Sequence, residues 1–586
     1  MLLAIPAADG GRDRFHLLTI PSLLEVYLIM KRLLSFACLM VFSGATRADI
    51  IYVNAAAAGA QTGTSWADAF ADLQDGLAVA KAGDEIWVAG GKYYPGAAGQ
   101  RDRSFRIPDG VKLYGGFQGD ERSPNQRDWL RCRSRLTGNI GDAQRRKDNT
   151  QRIIEAIRVD EGTLIDGFVI QNAFNERDAP LGRGGGAYVE NSGMTISNCR
   201  IRRNYAGGGG GMWIQSSQPM IVNCSFIKNT GRGISSNDSH PYIQGCQFDR
   251  NYTHSDGAGL GLFNGSTATV TSTLFFSNVS DNDGGAYFGL DAATFVDCVF
   301  MGNSCRSWGG AIDQFLGPLT MVNCSVYGNS TRWAGGVYAQ RECTLINSIF
   351  WGNRDQRGNT EAAQIDFYHN QPIISNTLVE GWTGRWGGEG NFDGNPKWVD
   401  AKNGNLRLRH NSPCIDAGTD DAVTEPFDLD GNPRILGQRV DIGAYENLCA
   451  DVTDLSAQRV EATKDGGGGG GGGGARCVGQ SDGDGLCEPG EDCCIVAMVS
   501  VNNATLPAGS TVRVVFTPLD ENGKPELDPC CATRECGPEV RCPIVRKARI
   551  DALGAGAATL RGCRGGSWRV CVEGCGESLC REVECP

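Results

Sequence analysis

The sequence is poor in histidine, in basic charge and in long apolar runs. Five His among 586 residues leave little room for a zinc site built on imidazole ligands. Lys and Arg total 55 against 67 Asp and Glu, and this net charge of −12 argues against a nucleic-acid-binding protein, which needs a basic face. No run of about 20 apolar residues is present, so the sequence predicts no integral membrane protein.

Glycine and cysteine, by contrast, are abundant. The 82 Gly do not follow the three-residue period of collagen. Of the 24 Cys, ten lie between residues 49 and 449, and thirteen lie between residues 477 and 585. The second group has the density of small secreted domains that are braced by disulfides. We therefore expect two regions of different construction.

The N-terminal 48 residues have the organisation of an export signal. Met30, Lys31 and Arg32 form a basic segment, the apolar residues 33–42 follow, and small residues lead to Ala48. This order is typical of a secretory signal peptide that starts at Met30 and is cleaved after Ala48. We therefore expect a secreted or cell-surface protein.

A ten-residue sequence motif recurs through the middle of the chain. Copies include TISNCRIRRN (195–204), TFVDCVFMGN (294–303) and TMVNCSVYGN (320–329), and the closing Asn residues are 22 to 32 positions apart. Each unit contains two or three short β runs without a helical period, so it buries an apolar side only by stacking on its neighbours. The prediction is an all-β fold, a single-stranded right-handed parallel β-helix over residues 49–448.

Two columns of the repeat form structural ladders. The Cys column and the apolar column two positions later share one strand face, which we expect to point inward. Coils stack about 4.8 Å apart, more than the roughly 3.8 Å between the Cβ atoms of a disulfide, so we expect reduced thiols. We expect the Asn side chains to hydrogen-bond from coil to coil, with left-handed backbone at a turn. The ladder residues are Cys199, Cys224, Cys246, Cys298, Cys324, Asn172, Asn204, Asn229, Asn251, Asn278, Asn303, Asn329 and Asn353.

Both ends of the solenoid need covering, because an open sheet edge pairs with other chains. Ser65 and Asp68 fit a capping box, which predicts an N-terminal capping helix followed by the first strands at 85–89 and 111–114. The apolar face of this helix is predicted to contain Trp66, Phe70, Leu73, Leu77 and Ala80.

The C-terminal part is predicted to be a separate module. Nine consecutive Gly within residues 449–476 form a flexible linker. Beyond it, residues 477–586 combine thirteen Cys with short alternating apolar runs that begin at Ile495, Val512 and Trp568. This pattern predicts a small disulfide-rich domain, similar to a β-sandwich, of a kind more typical of binding or attachment than of catalysis.

Two blocks of sequence resemble a known group of proteins. The segment 51–95, which begins IYVNAAAAGAQTG, resembles the opening of bacterial secreted proteins of the pectin-lyase-like superfamily. The stretches NPKWVD (395–400), SPCIDAG (412–418) and DLDGNPR…VDIGAYE (428–446) resemble the "choice-of-anchor" block that ends such proteins. The resemblance implies export and a right-handed β-helix, and it leaves the activity unassigned.

Charged residues that follow the ladder Asn suggest a catalytic alternative. Asp256, Asp281 and Asp283 are candidate ligands for calcium, which prefers carboxylate oxygens. Arg306 is the candidate base for β-elimination of a uronate-containing glycan, as in pectate-lyase-like polysaccharide lyases. Inverting hydrolysis by two carboxylates is another alternative, although the chain lacks the signatures of polygalacturonases. The competing interpretation is that these are solvated loop residues whose alternating charges reduce repulsion between coils.

An outward column three positions after the Cys column suggests a binding surface instead. Exposed apolar stripes mark contact sites, and aromatic faces suit sugar rings. The alternative is that a loop or the segment 361–398 covers this stripe. A second aromatic set, Tyr188, Trp213, Tyr287 and Tyr338, has no predictable facing because Gly runs precede it. The candidate ligand-binding residues are Phe276, Met301, Tyr327, Trp351, His254 and Arg332.

These features favour an exported β-helix protein that binds polysaccharide or a cell-surface glycan through its solenoid face. The alternatives are a calcium-dependent polysaccharide lyase and an adhesin or surface scaffold. We expect a monomer that is neither an integral membrane protein nor a partner of nucleic acid, with calcium as the one candidate cofactor.

Overall fold

The computed structural model describes residues 48–447, apart from 143, 177–181 and 369–370, and the backbone of seven strands farther along the chain. The predicted signal segment up to residue 47 and the glycine run at 466–474 lie outside the described residues. No helix in the described ranges is both long and apolar enough to cross a membrane.

The described residues between 50 and 379 form a solenoid of three parallel sheets, and one coil contributes one strand to each sheet. The first sheet has twelve strands. They are Ile50–Val53, Glu85–Ala89, Lys112–Phe117, Leu164–Asp166, Thr195–Ser197, Met220–Val222, Tyr242–Gln244, Ala268–Thr271, Ala293–Val296, Leu319–Val322, Cys343–Ile346 and Ile373–Ser375.

The second sheet follows the first within each coil and has eleven strands. They are Gly91–Tyr93, Ser134–Thr137, Phe168–Gln171, Arg200–Arg202, Ser225–Ile227, Gln247–Asp249, Leu274–Phe276, Val299–Met301, Ser325–Tyr327, Ile349–Trp351 and Leu378–Val379.

The third sheet completes the coil with ten strands. They are Phe105–Arg106, Ile154–Ile157, Ala187–Glu190, Met212–Gln215, Ile234–Asn237, Leu260–Phe263, Tyr287–Gly289, Ile312–Gln314, Val337–Ala339 and Ile365–Phe367.

Short elements fill the corners and the ends. Two-residue strands pair in parallel at Phe174–Asn175 with Tyr205–Ala206 and at Tyr252–Thr253 with Val279–Ser280. The helical segments are α-helices Leu73–Val79 and Glu361–Gln364 and 3-10 helices Pro124–Gln126, Arg146–Asp148, Ala401–Asn403 and Asp420–Ala422.

The inward Cys column is confirmed, although its members lie in the bend between the first and second sheets. Cys199, Cys224, Cys246, Cys298 and Cys324 are at most 2% exposed, and all are free thiols. The Ser325 N–H donates to the Cys298 carbonyl at 2.9 Å, which places consecutive coils directly against each other. Beside this column, Phe226, Phe248, Phe275 and Phe300 stack with ring centroids 4.7–4.9 Å apart.

The Asn ladder is also present. The Asn278 Nδ2 donates to the Phe248 carbonyl and to the Asn303 Oδ1, both at 2.9 Å, while its Oδ1 accepts from the Asn251 N–H at 3.0 Å. The same pattern links the fully buried Asn residues from Asn204 to Asn353. Such side chains replace the backbone partners that a tight bend cannot supply.

Two details of the ladder prediction are wrong. Asn172 does not belong to the Asn ladder. The residue at the ladder position of this coil is Ala173, whose N–H donates to the Asn204 Oδ1 at 3.0 Å. The left-handed backbone belongs not to the ladder Asn but to the residue before it, as at Arg203 (φ +55°) and Lys228 (φ +53°). The turn and the amide ladder are therefore carried by adjacent residues.

The N-terminal capping helix is shorter than predicted. It spans Leu73–Val79, and its N-cap is Asp72, whose side chain accepts from the Gln74 N–H. Phe70 pairs through its backbone with Val53, so the chain before Asp72 is extended rather than helical. The Ser65 hydroxyl caps only a local turn at Asp68. The first strand is Ile50–Val53, ahead of the two segments predicted to open the sheet.

A C-terminal cap, defined as residues 395–447, packs on the outer face of the second sheet. Its antiparallel hairpin pairs Trp398–Asp400 with Asn405–Leu408. Leu406, Leu408 and Tyr445 of the cap form an apolar cluster with Val299 and Ile349 of the solenoid. The cap therefore covers one side of the later coils.

A buried ionic cluster fastens this cap. Arg434 is 1% exposed; its Nε lies 3.0 Å from the Asp297 Oδ1 in the solenoid, and its Nη1 lies 2.6 Å from the Glu446 Oε1. Burial raises the pKa of Asp297 to about 7 although Arg434 opposes the shift. Burial likewise raises the pKa of Glu446 and of Asp441. Arg434, Asp441 and Glu446 belong to the sequence block 428–446. This block therefore supplies most of the ionic cluster that attaches the cap to the solenoid.

Seven antiparallel strands beyond residue 447 form two sheets. The first strand lies inside the segment predicted to be linker, so strand formation begins before residue 477. The predicted disulfides lie outside what the structure describes. The strands are Val452–Glu461, Cys493–Val501 and Ala555–Arg561 in one sheet, and Ile544–Arg549, Thr511–Pro518, Gly566–Glu573 and Leu579–Cys585 in the other.

Candidate functional site

The candidate catalytic residues lie in the loops that lead from the Asn ladder to the third sheet. Asp281 accepts hydrogen bonds from the Tyr252 hydroxyl at 2.5 Å and from the His254 Nδ1 at 2.8 Å. These hydrogen bonds, with the charge of Arg306 at 3.2 Å, lower the pKa of Asp281. Arg306 is therefore paired with a carboxylate, and its role as a base stays a prediction.

The other two predicted calcium ligands lie side by side. The Asp256 Oδ1 accepts from the Asn282 Nδ2 at 2.6 Å and from the Asp283 N–H at 3.3 Å. Asp283 in turn accepts from the Trp308 N–H at 3.0 Å. Across the described residues, no three His, Cys, Asp or Glu side chains come close enough to hold a metal ion. Asp256 and Asp283 therefore lie together, whereas Asp281 faces its own hydrogen-bonding partners, and the calcium set of Asp256, Asp281 and Asp283 stays a prediction.

A carboxylate that the sequence interpretation missed lies beside this pair. Asp313 belongs to the third-sheet strand Ile312–Gln314, in register with Phe288 and Tyr338. Ile312 points into the core, so alternation places Asp313 on the outer face. It is only 2% exposed, and its Oδ1 has no hydrogen-bonding partner among the described residues.

Two acids of this face, Asp283 and Asp313, have pKa values above the usual range of a carboxyl group. Burial raises the pKa of Asp313 well above its ordinary value, and the charges of Asp283 and Asp256 add to the shift. Burial also raises the pKa of Asp283, with a further contribution from Asp256. Perturbed carboxyl groups grouped on one surface are typical of functional sites, although structural clusters also produce them.

Aromatic rings adjoin the acids. The Trp308 ring lies 5.7 Å from the Trp333 ring and 4.5 Å from the Tyr338 ring, measured between centroids. Trp308 and Trp333 are partly exposed, whereas Tyr338 is buried. We call Asp256, Asp283, Asp313, Trp308, Trp333 and Tyr338 the acidic–aromatic face.

The second aromatic set divides between the two sides of the third sheet. Tyr188, Trp213 and Tyr338 belong to the outward column, where Arg152 and Arg183 lie over the first two rings at 4.1 and 4.3 Å. Tyr287 points inward instead and is fully buried, in register with Leu260 and Ile312.

The predicted binding stripe is largely covered. Phe276, Met301, Tyr327 and Trp351 form a continuous outward column of the second sheet, and all four are partly buried against the cap. The covering segment is the C-terminal cap rather than residues 361–398 as a whole. Tyr327 and Trp351 nevertheless line a groove of about 490 Å³ at the cap's edge.

The remaining two candidates lie on the loop surface. His254 is exposed beside Asp281, as described above. Arg332 is also exposed, and its guanidinium lies 5.7 Å from the Trp333 ring. Neither residue reaches the groove, so the six predicted ligand-binding residues do not form one site.

Comparisons with known proteins agree with the fold. Residues 154–300 match the family described as the right handed beta helix region. Pectate lyase Pel9A is 14% identical, with 69% of this chain and 97% of that chain covered and a TM-score of 0.41. A rhamnogalacturonan lyase is 13% identical, with 56% and 87% covered and a TM-score of 0.34. The enzymatically active domain of bacteriophage CBA120 tailspike protein 4 is 11% identical, with 84% and 62% covered and a TM-score of 0.21.

No curated protein matches the chain in sequence. The stacked parallel sheets and the family match over residues 154–300 together show that this chain contains a right-handed parallel β-helix.

Proposed function

We propose that this protein binds a glycan through the acidic–aromatic face of its solenoid. The observation that supports the proposal is the pair of partly exposed rings, Trp308 and Trp333, whose centroids lie 5.7 Å apart on consecutive coils. Sugar rings present apolar C–H surfaces that pack on aromatic faces, and the carboxyl groups of Asp256 and Asp283 are hydrogen-bonding partners for hydroxyls.

The third sheet makes this face rigid. Asp313 and Tyr338 are held in register by the parallel ladder, and the Trp308 N–H is anchored on the Asp283 carboxylate. A surface fixed in this way loses little conformational entropy when a ligand binds, which favours affinity. The carboxyl groups of Asp256 and Asp283 favour a neutral glycan over a polyanionic one at this face.

One observation favours a second function, the hydrolysis of a glycosidic bond. A proton donor that acts at neutral pH needs a raised pKa, and burial with two neighbouring carboxylates gives this property to Asp313. Asp313 would donate its proton to the departing glycosidic oxygen. Asp256 or Asp283 would accept a proton from the water that adds to the sugar carbon.

The test is a panel of purified polysaccharides assayed for both binding and new reducing ends. Trp333→Ala is expected to weaken binding about tenfold, which corresponds to about 1.4 kcal/mol. Tyr94→Ala, which removes another exposed aromatic ring, is the matched control and leaves binding unchanged. Unchanged thermal unfolding of both variants shows that the fold is intact.

The outcomes separate the two functions. Binding without new reducing ends supports a glycan-binding protein, whereas release of product that Asp313→Asn abolishes supports hydrolysis. If no glycan in the panel binds, or if Trp333→Ala binds as well as the unmodified protein, the acidic–aromatic face is not the site.

A further inference from the structure

A second surface, of opposite charge, lies between the cap and the second sheet. Its groove of about 490 Å³ contains Tyr327 and Trp351 from the solenoid and Trp398 from the cap. The Trp398 ring meets the Tyr327 ring edge-on, with centroids 5.1 Å apart. The groove therefore has aromatic walls contributed by two separate parts of the chain.

Three cations line the same groove because of the cap's hairpin. Lys397 directly precedes the strand Trp398–Asp400, and Arg409 directly follows the strand Asn405–Leu408. Lys402 lies in the 3-10 turn that joins the strands, which Gly404 ends with a left-handed φ of +88°. We call Lys397, Lys402 and Arg409, with the three aromatic residues, the basic groove.

These cations are not neutralised by neighbouring acids. Lys397 donates to the Asn411 carbonyl at 2.8 Å, and Arg409 donates to the carbonyls of Trp398 and Val399. Within the described ranges none of the three cations forms an ion pair, and the one acid that lines the groove is Asp400. The groove thus has a local excess of positive charge in a chain whose net charge is −12.

The groove also contains an unused hydrogen-bond donor. Trp398 is 7% exposed, and its Nε1–H has no partner among the described residues. A buried N–H without an acceptor costs stability, by about 1–3 kcal/mol in general. The indole of Trp398 therefore brings an unpaired, buried donor to the wall of the groove.

We propose that the basic groove binds an anionic oligosaccharide, with a sugar ring against Tyr327 and Trp351 and its acidic group against Lys397, Lys402 and Arg409. Carboxylate and sulfate groups present the same chemistry to these donors, namely anionic oxygens that accept charge-assisted hydrogen bonds. The site is independent of the acidic–aromatic face, which lies on the third sheet and carries the opposite charge.

The experiment measures binding of three oligosaccharides of equal length to the full chain by calorimetry. One carries carboxylates (oligogalacturonate), one carries sulfates (a sulfated maltooligosaccharide), and one is neutral (the unsulfated maltooligosaccharide). Binding of the anionic probes is expected to weaken as salt rises from about 0.05 to 0.5 M, because salt screens exposed charges. The neutral probe should show little affinity for this groove.

Variants assign the binding to the groove. Lys402→Glu reverses an exposed charge without removing a packed side chain and should weaken anion binding about tenfold. Lys92→Glu, a charge reversal at an exposed lysine near the other end of the solenoid, is the matched control and should change little. Trp351→Leu keeps an apolar contact with the cap but removes the ring, and should also weaken binding.

Trp333→Ala separates this site from the proposed glycan site, because it should leave binding at the basic groove unchanged. Preference for the carboxylated or the sulfated probe identifies the acidic group that the groove takes. The proposal is overturned if neither anionic probe binds, or if Lys402→Glu and Lys92→Glu affect the affinity equally.

Discussion

Removing the Arg434 cation tests how the cap is fastened to the solenoid. In Arg434→Met the chain keeps the apolar length of the side chain, but Asp297 and Glu446 lose their buried partner. Breaking a buried ion pair from one side costs about 3–5 kcal/mol, because the remaining charge is left without compensation. We expect a loss of this size at pH 9, where carboxyl groups tend to ionise.

The loss should depend on pH with a definite sign. Three carboxyl groups, those of Asp297, Asp441 and Glu446, interact with the charge of one guanidinium, so they cannot all be ionised at low cost. Burial raises the pKa of Asp297 to about 7, above its unfolded value of about 3.9. The stability that the protonated Asp297 contributes to the folded chain is thus complete below about pH 4 and is lost as the pH rises through about 7.

The assay is hydrogen exchange of cap peptides covering residues 428–446 in the full chain, at pH values between 5 and 9 after correction for the intrinsic rate. Arg434→Met should open the cap more at pH 9 than at pH 5, where protonated carboxyls no longer need the cation. Arg131→Met is the control, because Arg131 is highly exposed and its pairing with Asp128 contributes little. Equal opening in both variants, or a loss that grows toward low pH, would refute the reasoning.

Two further predictions concern the interior of the solenoid. Asn278→Ala removes the acceptor of the Asn251 N–H and a donor to the Phe248 carbonyl. At about 1–3 kcal/mol for each unsatisfied group, urea unfolding should show that the free energy of unfolding falls by about 2–6 kcal/mol. The control Asn125→Ala, at an exposed position, should lower it by less than about 0.5 kcal/mol. Burial raises the pKa of Cys298 well above its usual range and that of Cys414 to about 12, so alkylation at pH 8 mapped by mass spectrometry should leave both thiols unlabelled until the chain unfolds. Rapid labelling of Cys298 in the native chain would contradict the inward ladder.

The interior of the coil was predictable because it repeats. Cys298 and Asn303 occur at the same offset in consecutive units, and only stacking explains why a small apolar residue and an amide recur there. The N-terminal helix was less predictable, since the capping-box signal at Ser65 reflects a local turn, and strand pairing at Phe70 excludes the first helical turns.

The outer face of the third sheet could not be assigned from the sequence, because the glycine runs before it conceal a one-residue shift between coils. Two segments look equivalent in sequence, namely Gly284-Gly285-Ala286-Tyr287 and Gly335-Gly336-Val337-Tyr338. In the sheet, however, Tyr287 lies in the same column as Val337, and Tyr338 lies in the next column. The true marker is the left-handed residue at Gly284, Gly309 and Ala334, with φ of +55° to +65°. When the coils are aligned on this left-handed residue, the fourth residue after it faces outward in each coil. Asp313 occupies this position.

The cap explains why exposure could not be inferred from strand parity alone. The alternation of side chains along the strand correctly assigned Tyr327 and Trp351 to an outer face. Whether that face meets solvent depends on the C-terminal cap, which follows about 50 to 120 residues later in the chain and is held in place by Arg434. The same docking that hides Phe276 and Met301 creates the basic groove, since Lys402 and Trp398 reach the solenoid only on the docked cap. Weakening the cap with Arg434→Met should therefore also reduce anion binding at the groove, while binding at the acidic–aromatic face persists.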